Sequence, residues 1–471
     1  MMNKNTSRNY ILGGLLSGVV MLFLNGCAGQ VATQEEATSS IKGEVVEERV
    51  PVDFAAMAEQ GEVDDGWIKN FNDPTLIKLT AEALAANPGL QIAEAKVEQA
   101  DGLTRQAEAG LKPTVGYGGG YQDSQFQGTG AGEGGGGAGL AVSWEADVWG
   151  RIRTGIAGTE QETAATVADF QFARQALAAS VSNGWFMANT AKFQYQFAED
   201  IVKLQQKRVE VAEGMQKVGK GTERDVHLAR GAAASAGEAA REALSASENA
   251  LRSLELLLGR YPAADLKTAE KLVAVPPPIP AGIPSGIMER RPDLIAAEHR
   301  VAAAFYKQQE AELLNLPRFN FSLGIGLNTI NDAISGLSAG IFGPLYTGGA
   351  IEAEVDKATA VQKETIAMYA QAALTAFKEV EESLAAEEHL LKRDEYLQIE
   401  VTENKKAYDQ TMKQYEIGQI SLLDVLTVEN KWIASRIAEM DVAGRRLVNR
   451  VNLHLALGGS FEEQPAVAVE Q

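Results

Sequence analysis

From Ala350 to Ile417 the chain contains neither proline nor glycine. Ala, Glu, Lys and Gln dominate that stretch, and such residues lose little on entering a helix. One uninterrupted helix of about 68 residues is expected there, roughly 100 Å long at 1.5 Å per residue. A helix of that length has no way to fold back into a ball, so it must lie beside other long helices. Arg151 to Val218 supplies a counterpart with a few glycines, and Thr222 to Gly259 and Ser421 to Gly458 have the length to return antiparallel. Apolar residues step by seven at Val401, Tyr408 and Tyr415, and again at Phe377, Leu384 and Leu391, the spacing of coiled-coil packing.

The long helix is one half of an internal repeat. Asn87-Pro88-Gly89-Leu90 lines up with Arg291-Pro292-Asp293-Leu294, and Lys112-Pro113 falls on Leu316-Pro317 without a gap. Further on, Gly219, Thr222, Asp225 and Val226 match Gly418, Ser421, Asp424 and Val425. Two matches in the same order indicate a duplicated unit. Between the halves, Val275-Pro276-Pro277-Pro278-Ile279-Pro280 reads as a stiff extended connector. The expected organisation is a leader over 1–26, a linker over 27–63, a first repeat over 64–262 with a hairpin at 113–149, a connector over 263–288, a second repeat over 289–459 with a hairpin at 317–346, and a tail over 460–471.

After each proline the period changes from helical to two. Phe319, Phe321, Leu323, Ile325 and Leu327 alternate with small or polar residues, as do Leu140, Val142, Trp144, Ala146 and Val148. Weaker alternation runs through Val115, Tyr117 and Tyr121, and through Leu337, Ala339, Ile341 and Leu345. Each stretch has about the nine to eleven residues that a tilted strand needs to cross a bilayer. One face is apolar and the other suits a water-filled lumen; a half-buried hairpin of a soluble domain has the same period. Gln122 to Gly139 and Asn328 to Gly336 read as the hairpin loops. Four strands are too few to close, and an open edge in hydrocarbon leaves backbone groups unpaired at several kcal/mol each. Several copies must then share one barrel around a cyclic axis, and three copies, giving twelve strands, are the smallest ring with an open lumen.

Lys4 and Arg8, the apolar run Ile11 to Leu24, and Leu24-Asn25-Gly26-Cys27 have the layout of an export signal ending at a lipid-attachment cysteine. Cys27 is the chain's one cysteine, so no disulfide framework holds the subunit. Ala28, rather than Asp, favours sorting to the outer membrane. No later segment is apolar for the eighteen or so residues a transmembrane helix requires. With 63 acidic against 43 basic residues and a net charge of −20, the chain lacks the clustered Lys and Arg of a nucleic-acid partner. Gly336-Leu337-Ser338-Ala339-Gly340 fits a nucleophile elbow but sits in a strand pattern with no helix after it. Gly214 to Lys220 nearly spells a phosphate loop, with Gly221 where Ser or Thr is required. His227, His299, His389 and His454 show no ligand spacing, so neither a metal site nor a catalytic set is expected, and the covalent lipid on Cys27 is the one non-protein group.

Ser143-Trp144-Glu145-Ala146-Asp147-Val148-Trp149-Gly150-Arg151, Glu289-Arg290-Arg291-Pro292-Asp293-Leu294, Gly343-Pro344-Leu345-Tyr346-Thr347-Gly348-Gly349 and Tyr415, Gly418, Leu422, Asp424, Val425, Leu426 together resemble the TolC-like outer-membrane efflux proteins, in their OprM/NodT-type lipoprotein branch. The resemblance runs from about Asp64 to Gly459. It implies a mainly α fold with a small β part. Long antiparallel coiled-coil helices would form a periplasmic tunnel, and each chain would give four strands to a trimeric twelve-stranded barrel. It implies a homotrimer seated in outer-membrane lipid, a periplasmic adaptor protein, and an inner-membrane pump of the RND type. It also implies export of drugs or other small toxic compounds, with type I protein secretion or heavy-metal efflux as alternatives. A coiled-coil scaffold without a pore is the reading from another class, and it has no use for four membrane-length strands. Gly219, Thr222, Asp225, Gly418, Ser421 and Asp424 fall at the tunnel tip, as adaptor contacts or gate. Asp424 matches an aspartate that lines the constriction, while Thr427 stands where the family's second aspartate is found. Local physics gives the same residues a capping role: glycine stops one helix, Ser or Thr caps the next, and Asp sits in its first turn.

Overall fold

The computed structural model describes residues 54–55, 63, 65–122, 135–281, 284–328 and 333–462. Cys27 and the leader before it lie outside the described residues. The elements run α1 (Pro74–Ala86), α2 (Pro88–Glu108), β1 (Thr114–Gln122), β2 (Gly135–Ala146), α3 (Arg151–Lys217), α4 (Glu223–Leu257), α5 (Pro284–Arg290), α6 (Pro292–Glu312), β3 (Arg318–Asn328), β4 (Ala333–Phe342), α7 (Ala350–Glu416) and α8 (Leu422–Ala456). Helices α3 and α7 have 67 residues each, and α4 and α8 have 35 each. Both 67-residue helices thus end one residue before the expected Val218 and Ile417.

The duplication is strict. Pro88–Glu108 recurs as Pro292–Glu312, and the first residue of β1, Thr114, as Arg318, a shift of 204 residues. Beyond the hairpin loops the shift is 199: Arg151–Lys217 recurs as Ala350–Glu416, and Glu223–Leu257 as Leu422–Ala456. The difference is the longer first hairpin loop.

Two compact units divide the described residues. One holds residues 96–122, 135–167, 296–328 and 333–370, and the other holds the rest. The first unit contains one antiparallel sheet of order β1-β2-β3-β4 among the described residues. Thr114 faces Ser143, Trp144 faces Phe321, and Arg318 faces Phe342. Because side chains alternate along a strand, Val115, Tyr117, Leu140, Trp144, Phe321, Leu323, Ile325, Leu337 and Ile341 share one face, and all are exposed. Trp144 and Phe321 stack across the β2–β3 seam at 5.7 Å. The opposite face carries Thr114, Gly118, Gly139, Ser143, Ser322, Gly324, Gly326 and Ser338, with Ser322 and Ser338 hydroxyls 2.6 Å apart.

Several expected strand limits are corrected. Val148 lies outside β2, which ends at Ala146, and Leu345 lies outside β4, which ends at Phe342. Asp147 ends β2 by turning its carboxylate onto the start of α3, accepting from the amides of Ile152 and Arg153 at 3.0 Å each. Gly150, at φ 82, makes the turn between them. The glycine-rich stretch expected as loop from Gln122 to Gly139 is paired at both ends: Gln122 belongs to β1, and Gly135 to Gly139 to β2. Likewise Asn328 closes β3, and Ala333 to Gly336 open β4. Glycine has low strand propensity, and ladder hydrogen bonding overrides it here. At Gly139 a Cβ would come within 2.6 Å of the Ile325 carbonyl oxygen, so no larger residue fits that crossing.

The second unit is helical and holds three apolar cores. The largest gathers Trp67, Phe71, Leu76, Trp185, Phe186, Leu254, Leu447 and Val451. Asp73 joins its parts: one carboxylate oxygen accepts the α1 amides of Thr75 (2.9 Å) and Leu76 (3.1 Å), and the other accepts Trp185 Nε1 at 2.7 Å. A second core packs Ile287, Leu294, Ala376, Val380, Leu384, Leu453 and Leu457. Of the expected seven-residue seam, Leu384, Tyr408 and Tyr415 are buried while Leu391 is exposed. Glu255, with no exposed surface, holds the segment after α4 by accepting the amides of Ala264 (2.7 Å), Asp265 (2.8 Å) and Leu266 (3.1 Å).

His454 is buried in this unit and stacks on Trp67 at 5.4 Å, the ring planes 16° apart. Burial, reinforced by the Arg450 charge, pushes its pKa down from 6.5 to about 3. The folded chain therefore refuses a proton that the unfolded chain accepts below its ordinary value. That part of the stability is complete above pH 6.5 and is lost as pH falls toward 3. His454→Phe removes the titration. Between pH 7 and pH 4 its unfolding temperature is expected to fall less than that of the wild type, measured by thermal denaturation across buffers.

Candidate functional site

The residues singled out as a tip form two turns of one design. Helix α3 ends in a paired-bond C-cap: the Gly219 amide donates to the Gln216 carbonyl at 3.0 Å and the Lys220 amide to Met215 at 2.9 Å, with Gly219 at φ 72. Helix α7 repeats it, with Gly418 donating to Tyr415 at 2.8 Å, Gln419 to Gln414 at 2.9 Å, and Gly418 at φ 79. Only glycine takes that left-handed conformation without steric cost, which is why both turns carry it. Each return helix then opens with a box. Thr222 donates from its amide (3.0 Å) and hydroxyl (2.6 Å) to the Asp225 carboxylate, while the Asp225 amide donates back to the hydroxyl at 3.3 Å. Ser421 donates likewise to Asp424, at 3.1 Å from the amide and 2.7 Å from the hydroxyl. The capping role of all six residues is thus visible in the geometry.

The two aspartates are chemically different despite the shared motif. Asp225 is buried, and burial of the Tyr415 phenol, reinforced by the Asp225 charge, pushes that phenol up. Asp424 faces solvent, and the Ser421 hydroxyl and amide hold its carboxyl below the usual range. It stays ionised at neutral pH and offers a fixed negative charge. Thr427, one turn on, donates its hydroxyl to the Leu423 carbonyl at 2.8 Å. Behind the turns lies an apolar core of Ala212, Val226, Ala229, Tyr408, Tyr415, Leu422 and Val425, drawn from all four long helices.

A charged network that motif reading does not find sits next to that core. The Arg208 side chain is 1% exposed and that of Glu429 0%, and they form a two-pronged pair across α3 and α8, with Arg208 Nη2 donating to Glu429 Oε1 at 2.7 Å. Arg208 Nη1 donates to the other carboxylate oxygen. Arg208 also donates to the Tyr408 hydroxyl (2.8 Å) and to Gln205 (3.2 Å), and Gln205 donates to Glu429 at 2.7 Å. Trp432 stacks on Tyr408 at 5.3 Å. Each partner's charge is met inside the protein, so the network joins α3, α7 and α8 in one arrangement. In the sequence the signal is weak: Arg208 and Glu429 are charged residues inside helices, and only Tyr408 belongs to the seven-residue pattern.

Among the described residues no group of His, Cys, Asp and Glu is placed to hold a metal ion, and no helix is long and apolar enough to cross a membrane. The features able to act are the exposed apolar sheet face, the two open strand edges of β1 and β4, and the paired tip turns.

Comparison with known proteins bears on all three. The sequence profile described as outer membrane efflux protein matches residues 79–260 and 283–459. The chain is 28% identical over 412 residues to the cation efflux system protein CusC of Escherichia coli O6:H1, covering 84% of this chain and 89% of that protein. It is 28% identical over 442 residues to the toluene efflux pump outer membrane protein TtgC of Pseudomonas putida, covering 88% and 89%. The MtrE outer membrane channel of Neisseria gonorrhoeae, solved in its open state, matches with a TM-score of 0.78 at 25% identity over 88% of this chain and 97% of that one.

Removing one partner of a buried charge pair leaves the other uncompensated, at about 3–5 kcal/mol. Arg208→Met and Glu429→Leu are each expected to destabilise the protein on that scale. The double variant, which buries no charge, should recover most of the loss. Thermal unfolding of the three variants checks this, and a double variant as unstable as the two single losses combined would contradict it.

Proposed function

Because this chain belongs to the outer membrane efflux protein family, we propose that it is the channel subunit of a tripartite efflux system and carries drugs or other small toxic compounds out through a trimeric duct. That it is an outer-membrane efflux channel follows from the family itself. The observation that carries the finer reading is the sheet, with membrane-length strands, one exposed apolar face and both edges open. Backbone groups at an open edge have no partner in hydrocarbon, so the strands become a membrane structure only when copies share a barrel. Three copies give the smallest ring with a lumen not filled by side chains.

Helices α3 and α7, each roughly 100 Å long at 1.5 Å per residue, are the material of a periplasmic conduit. Their tip turns, with Gly219, Thr222, Asp225, Gly418, Ser421 and Asp424, are where a periplasmic adaptor is met and where the conduit narrows. An inner-membrane pump of the RND type, reached through the adaptor, supplies the energy, so no catalytic residue is needed in this chain. Cys27 carries covalent lipid and ties the subunit to the outer membrane. The similarity to CusC supports a second reading, in which metal cations are the cargo. Growth of a deletion strain, with and without the gene restored, under drugs and under metal salts separates the two.

Purified protein is expected to run as a trimer that dissociates on heating and to conduct ions in planar bilayers; a stable monomer that does not conduct would refute the proposal. Divalent cations in the bath should block part of that current at the ring of Asp424 carboxylates. Asp424→Asn should weaken the block several-fold, and an unchanged block removes Asp424 from the narrowing.

A further inference from the structure

The repeat assigns a register to the one strand seam that a single chain leaves unmade. Within each hairpin the pairing is the same under the two shifts already seen in the helices. Thr114 opposite Ser143 in the first hairpin becomes Arg318 opposite Phe342 in the second. The remaining seam, β2 to β3, joins one hairpin to the next, with Ser143 opposite Ser322 and Ala146 opposite Phe319. The same shifts carry β2 onto β4 and β3 onto β1. Since β1 and β4 are the two outer strands of the sheet, the β1 that meets β4 belongs to a second copy of this chain.

Resting on the reading of the chain as a barrel subunit, in which β4 of one copy meets β1 of the next, we propose the register of that antiparallel seam. Phe342 then lies opposite the partner's Gly118, Ile341 opposite the partner's Gly119 and Gly340 opposite the partner's Gly120. Gly343 and Leu345 continue the strand opposite the partner's Tyr117 and the partner's Val115.

Two further features agree with this register. The first concerns where β4 stops. In β2 the last three residues, Trp144 to Ala146, are paired by β3 alone, because the β1 pairing ends at Thr114 with Ser143. Their equivalents are Gly343, Pro344 and Leu345, whose only partner would be the neighbouring copy. In the single chain β4 ends at Phe342, just before those three. The sequence alternation that includes Leu345 thus describes the strand of the assembly, while the lone chain leaves Leu345 fully exposed.

The second is the fit of side chains. In this register three of the largest residues meet glycines: Tyr117 meets Gly343, Ile341 meets Gly119, and Phe342 meets Gly118, while Leu345 meets Val115 on the apolar face. No atom lies within 4 Å of the place a Cβ would occupy on Gly118, which leaves room for the Phe342 ring. A slip of two residues would oppose Ile341 to Tyr117 and Ala339 to Gly119, crowding one pair and leaving a gap at the other. A slip of one would turn the apolar face of one copy toward the polar face of the next. Tyr117 and Leu345, both almost bare in the single chain, are covered at the seam.

Cysteine pairs test the register, since directly opposed residues of an antiparallel pair have Cα atoms about 4.5–5.5 Å apart, inside the roughly 4.4–6.8 Å range of a disulfide. Full-length protein carrying Phe342→Cys with Gly118→Cys is compared with Phe342→Cys with Gly116→Cys and Phe342→Cys with Gly120→Cys. All three glycines have open space around them. The pair Leu345→Cys with Val115→Cys reports the strand extension, and the unsubstituted chain, with Cys27 alone, is the background. Light scattering in detergent first establishes that each variant is an oligomer. After mild oxidation, covalent oligomers on a non-reducing denaturing gel should be several-fold more abundant for the Gly118 and Val115 pairs than for either displaced pair. A displaced pair that cross-links best, or oligomers in which no pair cross-links, overturns the register. Monomers throughout would instead overturn the channel reading on which it rests.

Discussion

A strand edge presents amides and carbonyls to whatever surrounds it, and in hydrocarbon nothing answers them. The sheet of this chain has two such edges, β1 and β4, flanking strands whose exposed face is apolar from Val115 to Ile341. The apolar face places the sheet in lipid, and the unpaired edges forbid it to be there alone. Everything else in the unit bends to that requirement. Glycines at Gly139 and Gly326 let neighbouring strands approach where a Cβ would strike backbone, at 2.6 Å and 2.9 Å. Asp147 stops β2 and starts α3 within a few residues, so that helix begins as soon as strand ends. Closure by further copies is the only way to satisfy the edges without water.

The helices face a different demand. A 67-residue helix gains no stability from its length unless its buried positions are matched along the way, and α3 and α7 are matched by α4 and α8 in separate cores rather than one continuous seam. Near the tips the matching includes charge. Arg208 and Glu429 are wholly buried, and Tyr408 and Gln205 add hydrogen bonds to the pair, although Arg208 Nε has no partner among the described residues. Such a pair adds little net stability, because desolvating the two charges offsets most of their attraction. Duplication does not make the two tip turns equal. Asp225 is enclosed beside Tyr415 while Asp424 stands in solvent, although each caps its own helix in the same way.

Much of the fold is legible because its signals are local. The absence of proline and glycine from Ala350 to Ile417 places α7 to within one residue, and Gly418 with Ser421 and Asp424 marks where it stops and α8 begins. Where local signals compete with pairing, the reading slips. Gly135 to Gly139 look like loop because glycine disfavours strands, yet each lies opposite a residue of β1 in the antiparallel ladder. Val148 continues the alternation of β2, but Asp147 has already left the ladder to cap α3. The network of Arg208, Gln205, Tyr408 and Glu429 escapes altogether, since it draws on residues some two hundred positions apart and no one segment shows the match.

The sequence by itself determined the duplicated order of elements, the lengths of the long helices, the apolar and polar faces of the strands and the six capping residues. Each depends on neighbours within a few positions, so composition and spacing suffice. Tertiary structure alone decided which charges are buried, which of two identical motifs meets solvent, and where a strand ends when its partner edge is missing. Those outcomes depend on what lies across the gap from a residue rather than beside it in the chain. For β4 what lies across the gap is a second copy, and three residues beyond Phe342 wait for it.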